Sequence, residues 1–196
     1  IVRDCGGKAL VAPPGLGEAL DELPPLIPGV PLYMAGEARA PYQSWEATPA
    51  ALPAEPIADE ASGNDLLYSS GTTGRPKGIK PALTGDPLDA PNSITDRMLH
   101  LFNCRMGDTY LCPAPLYHSA PVRFSMATHK IGGTVVVMER FDAEQCLAVI
   151  EKHKVDVGQF VPTHFVRMLK LPKEVRDRYD VSSLRFVMHA AAPCPV

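Results

Sequence analysis

The hydrophobic pattern sharpens along the chain. From Tyr110 onward, short runs rich in β-branched and aromatic residues alternate with stretches of helical period. Tyr110 to Ala114, Thr134 to Met138, Val155 to Phe160 and Leu184 to His189 read as strands. Between them, Pro121 to Ile131 reads as a helix that Gly132-Gly133 stops. Asp142 can cap a helix carrying Cys146, Leu147, Ile150 and His153, and Thr163 to Lys170 reads as a third. Upstream, Ile94, Met98, Leu101 and Phe102 follow at helical spacing, with Ser93 and Asp96 as a capping box. The order from Tyr110 is β-α-β-α-β-α-β. It predicts an α/β fold with a largely parallel β-sheet flanked by helices.

The first part of the chain has a weaker pattern. Lys8 to Ala12 and Val30 to Met34 read as short strands, and Glu18 to Leu23 as a helical turn. Ala47 to Gly63 is proline-rich, acidic and without period, so it reads as a linker. Asp65 to Tyr68 is a further short strand. These shifts predict two parts: a Pro/Ala-rich α/β segment and linker over 1–64, and a second subdomain over 65–196.

Parallel sheets of this kind bind ligands outside the carboxyl ends of their strands. The rule selects Pro113 to His118, Gln159 to His164 and His189 to Pro193, which should line one side of a crevice. His118 is a substrate-contact candidate there, although spacing alone favours the plainer role of a packed, hydrogen-bonded histidine. His164 is a second candidate to face the crevice. His100, His129 and His153 read as helix-surface residues, and the histidines form no metal-binding pattern.

The densest chemistry lies near the start of the second part. Tyr68-Ser69-Ser70-Gly71-Thr72-Thr73-Gly74-Arg75-Pro76-Lys77-Gly78 packs four hydroxyl side chains and three glycines into Ser69–Gly78. Glycines let backbone N–H groups turn inward, hydroxyls add donors, and Lys77 adds a mobile positive charge. That set suits the oxygens of a triphosphate. A Walker A loop needs Gly-Lys followed by Ser or Thr and then a helix. Here Pro76 precedes Lys77, Gly78 follows it, and Ile79-Lys80-Pro81 looks extended. A P-loop kinase or ATPase is therefore disfavoured. A flexible Ser/Gly linker would rarely end in Pro-Lys-Gly directly after an apolar strand.

Composition narrows the partners. A net charge of -3 with no Lys/Arg cluster argues against a nucleic-acid partner. No run approaches the length of a membrane span, and no charged-then-apolar leader opens the chain. The expected compartment is the cytoplasm. The five cysteines are irregularly spaced without a C-x-x-C pair, so they read as core or half-buried thiols rather than zinc ligands. Ile1 is not a start methionine, and the chain stops soon after an apparent strand, so a fragment of a longer protein is expected.

Tyr68 to Gly78 resembles the signature of the adenylate-forming superfamily, which holds acyl-CoA synthetases, luciferases and peptide-synthetase adenylation domains. Pro115-Leu116-Tyr117-His118, Phe141-Asp142-Ala143-Glu144, Val161-Pro162-Thr163 and His189-Ala190-Ala191-Ala192-Pro193 resemble later segments of the acyl-CoA synthetase branch, in the same order. Ala190 stands where that family usually has Gly, and His189 where Ser is common. The resemblance implies part of the large N-terminal domain of such an enzyme, with 65–196 as a truncated AMP-binding subdomain.

It also implies roles. Ser69, Ser70, Gly71, Thr72, Thr73, Gly74, Lys77 and Gly78 would hold the phosphates of ATP, with Lys77 as the catalytic residue and Thr72 near Mg2+. Ala190, Ala191, Ala192 and Pro193 would lie beside the adenine, and His118 and Thr163 beside the acid. The reaction implied is ATP-dependent activation of a carboxylic acid, expected to be a fatty acid, as its adenylate, followed by transfer to coenzyme A. The adenine-stacking Tyr, the ribose-binding Asp and the C-terminal domain with its catalytic Lys would follow Val196, so this chain alone is expected to be inactive. A peptide-synthetase domain usually carries Phe-Asp in its pocket segment to hold the substrate amine. Pro115 to Ala120 has no carboxylate, which favours an acid without an α-amino group. A non-catalytic nucleotide-binding module remains the rival of a different class. Oligomeric state is not encoded in any recognisable feature.

Overall fold

The computed structural model describes residues 1–69 and 76–194. The chain falls into two compact units, Ile1–Leu88 and Asp89–Val196. The boundary expected at 64/65 falls inside the first of them.

In the first unit, three short parallel strands lie in the order β1-β2-β3: β1 (Leu10–Ala12), β2 (Leu32–Met34) and β3 (Gln43–Ser44). Ala12, Leu20, Met34 and Tyr42 form their core, with Leu20 contributed by helical turn α1 (Ala19–Glu22). The Tyr42 hydroxyl donates to the Leu20 carbonyl at 2.7 Å, which satisfies a buried polar tip. The expected linker holds one helical turn, α2 (Ala47–Ala50). Further on, β4 (Leu67–Ser69) and β5 (Lys77–Ile79) pair antiparallel.

The second unit is the expected α/β layer. Helix α3 (Ser93–His100) leads to β6 (Thr109–Cys112), α4 (Ser119–Lys130), β7 (Thr134–Val137), α5 (Ala143–His153), β8 (Val157–Phe160), α6 (Pro162–Leu169), the short α7 (Lys173–Arg176) and β9 (Phe186–His189). All four strands are parallel, in the order β7-β6-β8-β9. The alternation of strand side chains builds two cores. Tyr110, Cys112, Val157 and Met188 pack on one face with Met98, Ala127 and Ile131 of the α3–α4 side. Leu111 and Phe160 pack on the other with Cys146 and Ile150 of α5, together with Phe165 and Met168 of α6. A strand buried on both faces is what the near-continuous apolar runs require.

Two boundaries differ from expectation and a third agrees. Asn92, not Ser93, caps α3: its Oδ1 accepts from the N–H groups of Ile94 and Thr95 at 3.0 Å, and the Thr95 hydroxyl accepts from the Asn92 N–H at 2.9 Å. Asn92 is extended, as a cap must be, and Ser93 is already helical. Helix α4 begins at Ser119, before Pro121, because a proline in the first turn forfeits no helical hydrogen bond. Asp142 caps α5 as expected, accepting from the Gln145 N–H at 2.9 Å.

The two glycines after α4 have different work. Gly132 takes φ +71°, the left-handed conformation that ends a helix. A Cβ on Gly133 would lie 2.5 Å from the Asp108 carbonyl oxygen and 2.7 Å from Thr128 Cγ2, so only glycine fits where the chain turns back into β7. At the amino ends of the strands, Arg185 joins three segments. It donates to Asp108 Oδ1 at 2.5 Å and to the Asn103 carbonyl at 3.1 Å, and its Nε lies 3.5 Å from Asp156 Oδ1.

Candidate functional site

The candidate residues fall in both units. In the first, Ser69 and Lys77 are register partners across the β4–β5 hairpin, and both are exposed. At the next register position, Tyr68 pairs with Gly78. A Cβ on Gly78 would meet the Tyr68 ring at 3.1 Å, so the ring covers the bare backbone of the glycine. This gives Gly78 a packing reason beyond any phosphate contact. The Tyr68 hydroxyl donates to Asp4 Oδ2 at 2.6 Å. Successive side chains of a strand point to opposite faces, and register partners share one. Ser69 and Lys77 therefore lie on the face opposite Tyr68. Ser70, Gly71, Thr72, Thr73 and Gly74 lie outside the described residues.

In the second unit, strand order explains which loops meet. From β6 the chain crosses through α4 to β7 on one side, and from β8 through α6 to β9 on the other. The direction of connection thus reverses between β6 and β8, the position where α/β sheets open a crevice. The segments beginning at Pro113, Val161 and Ala190 follow β6, β8 and β9, three adjacent strands.

His118 stands at the start of α4. It is exposed, its ring lies 4.5 Å from that of the equally exposed Tyr117, and its N–H donates to the Pro115 carbonyl at 3.1 Å. It is thus not a packed core histidine. Thr163 is exposed in the first turn of α6. His164 is buried instead. Its ring stacks on Phe141 at 4.0 Å and meets the edge of Phe160, while its Nδ1 accepts from the Val161 N–H at 3.4 Å. Burial first, and then the Arg167 cation, hold its pKa below the ordinary value. Arg167 itself sits 4.9 Å over the Phe141 ring. His164 is therefore committed to a stack that anchors α6.

After β9, the Ala190 N–H donates to the Phe160 carbonyl at 3.2 Å, and Ala191 takes φ +74°. A non-glycine residue there is strained by about 1–2 kcal/mol. Ala191, Ala192 and Pro193 are exposed.

One residue of interest carries no motif. Gln159 is 2% exposed near the carboxyl end of β8. Its Nε2 donates to the Phe160 carbonyl at 3.0 Å, but its Oε1 has no partner among the described residues. Gln159 pairs with Met188 and so shares the α4-side face. Its signal in the sequence is a lone amide inside a strand otherwise apolar or glycine. Among the described residues, no group of three or more His, Cys, Asp and Glu side chains is arranged to hold a metal ion, and no helix is long and apolar enough to cross a membrane.

The family model for AMP-binding enzymes matches residues 1–196, and the chain belongs to that family. It is 36% identical over 129 residues to 4-coumarate–CoA ligase 1 of Solanum tuberosum, a match covering 65% of this chain and 23% of the potato protein. Its fold is similar to the inhibitor-bound N-terminal domain of FACL13 from Mycobacterium tuberculosis, with a TM-score of 0.75 and 23% identity, over 99% of this chain and 47% of that one. It is also similar to ATP-bound MatB from Rhodopseudomonas palustris, with a TM-score of 0.50 and 26% identity, over 65% of this chain and 24% of that one. The chain thus spans about a quarter of the curated relative and about half of the FACL13 domain.

Proposed function

We propose that the chain is the phosphate-holding part of an ATP-dependent acid–thiol ligase. A substrate carboxylate attacks the α-phosphorus of ATP and pyrophosphate leaves. The thiol of coenzyme A then attacks the acyl carbon, and AMP leaves. The first step needs positioning and neutralisation of charge rather than a protein nucleophile. The observation that carries the reading is the hairpin. Ser69 and Lys77 stand opposite each other at the ends of β4 and β5, flanking a Ser/Gly/Thr sequence suited to a polyphosphate.

In this reading Ser69 to Gly74, with Gly78, hold the β- and γ-phosphates, and Lys77 neutralises the departing pyrophosphate. Thr72 lies near the Mg2+ that ATP carries. Ala190, Ala191, Ala192 and Pro193 border the adenine, and the strain at Ala191 fits a backbone shaped for a ligand. His118 and Thr163 border the acid.

The acid itself is the finer question. Fatty and aryl acids both fit the family, and several relatives are named as 4-coumarate–CoA ligases. The names of those relatives favour an aryl acid over a plain alkyl chain, and Gln159 Oε1, unpartnered among the described residues, is a buried acceptor that a hydroxyl donor would satisfy. An aryl acid of the hydroxycinnamate kind is therefore preferred to the fatty acid expected from the sequence.

The test is carboxylate-dependent ATP–pyrophosphate exchange on the full-length protein, with a panel of aryl, fatty and amino acids. Exchange with hydroxylated aryl acids is the expected result. Preference for unsubstituted fatty acids would reject the aryl assignment and keep the ligase. Exchange with amino acids alone would move the protein to the peptide-synthetase branch. ATP binding without exchange for any acid would leave a nucleotide-binding module.

A further inference from the structure

Tyr68 is half-buried on β4, and Asp4 belongs to the turn at the start of the chain, 64 positions away. The phenol–carboxylate bond between them is short, at 2.6 Å, as a bond to a charged acceptor should be. It pushes the Tyr68 pKa up to about 12, with the bond to Asp4 as the leading cause, so the phenol stays protonated and remains a donor throughout the physiological range. On the hairpin side, the same ring lies over Gly78, where a Cβ would stand 3.1 Å from it and press the ring outward by a few tenths of an ångström. One aromatic residue thus fixes the second strand by packing and is itself fixed from outside by a hydrogen bond.

We propose that Asp4 and Tyr68 form a latch that sets the separation of Ser69 and Lys77, making Tyr68 a positioning residue for the phosphates of ATP. The inference rests on the ligase reading above. The physical case is one of leverage. Ser69 and Lys77 are exposed and follow directly on the Tyr68–Gly78 pair. An isolated two-stranded hairpin is marginal in water, so its geometry depends on what holds it from outside. Because Tyr68 occupies the face opposite Ser69 and Lys77, the latch orders the hairpin without covering the side that meets a ligand. The sequence hides this contact. Tyr68 reads as the opening residue of a motif, and Asp4 lies 64 positions upstream of it.

The test is titration of ATP into the full-length protein and its Tyr68→Phe, Asp4→Ala and double variants, with hydrogen exchange followed in the same samples. Each single variant should weaken ATP binding by about two- to tenfold, the reach of one hydrogen bond. The double variant should be no worse than the worse single one, because both remove the same bond. Asp4→Asn, which keeps an acceptor oxygen, should stay within about twofold of the unaltered protein. Exchange of amides in Leu67–Ser69 and Lys77–Ile79 should accelerate, while β6, β8 and β9 keep their protection. ATP affinities unchanged in the single variants, additive losses in the double variant, or acceleration spread through the four-stranded sheet would each overturn the latch. If the unaltered protein binds no ATP, the latch and the ligase reading fall together. ATP binding indifferent to the variants overturns the latch alone.

Discussion

Ala191 is the residue under the clearest backbone strain, at φ +74° immediately beyond β9. Glycine would remove the steric cost, though it also adds freedom to the unfolded chain. The two effects leave Ala191→Gly a net stabilisation of about 0.5–1 kcal/mol, readable as a higher urea midpoint with unchanged slope. A lower midpoint would mean that Ala191 is not strained where it stands. The sequence drew attention to Ala190, where the family usually has Gly, but the left-handed residue is its neighbour. Local sequence does not report φ, so a one-residue displacement of this kind is invisible before the fold is known. The same limit hid Gln159. A lone amide within Val157–Phe160 was visible, but its unpartnered oxygen depends on the packing of β8 beneath α4. The cysteines were easier to place. Cys104, Cys112 and Cys146 are buried, and burial pushes the Cys104 thiol up to about 11 and that of Cys146 up to about 12, so these thiols are core residues rather than nucleophiles. Cys194 departs from the expected half-buried class and is exposed.

Elements were legible where a long periodic signal met a chemical stop. Helix α5 is the clearest case, with Asp142 capping its start and Lys154 in the left-handed conformation at its end. Asp142→Ala should cost about 1 kcal/mol of stability, measured by urea unfolding, because it removes the acceptor for the Gln145 N–H. A loss below about 0.3 kcal/mol would mean that solvent or a neighbouring group replaces the cap. The strands β6 and β8 were readable because strands buried on both faces demand apolar runs, and β7 because its four residues are a β-branched run. Strand β3 and helix α7 were not readable, because two and four residues carry no period. The antiparallel pairing of β4 and β5 was also out of reach. The extended character of Ile79 to Pro81 was evident, but the strand starts at Lys77, and its partner is set by the chain on both sides of the phosphate motif. The motif thus revealed its chemistry without revealing its scaffold.

For the molecule as a whole, His164 links packing to pH. Its folded pKa lies below the ordinary 6.5, because burial and then Arg167 disfavour the charged ring. The unfolded chain therefore binds the proton more readily. Stability is complete above about pH 6.5 and falls as the pH drops through the window between the unfolded and folded values. Protonation would also put a hydrogen on Nδ1, which now accepts from Val161. His164→Phe should flatten the stability profile below about pH 6.5, measured as urea midpoints at successively lower pH. An unchanged slope in that variant would assign the pH dependence to other groups. The central claim, that this family member uses the β4–β5 hairpin to hold and release pyrophosphate, is tested most directly by one comparison. Carboxylate-dependent ATP–pyrophosphate exchange should be measured on the full-length protein beside its Lys77→Ala variant. One oriented charge in the transition state is worth about 2.7–4 kcal/mol, so exchange should fall by about 10²–10³-fold in the variant. A fall of less than about threefold in a folded, ATP-binding variant would contradict the role assigned to Lys77 and to the hairpin.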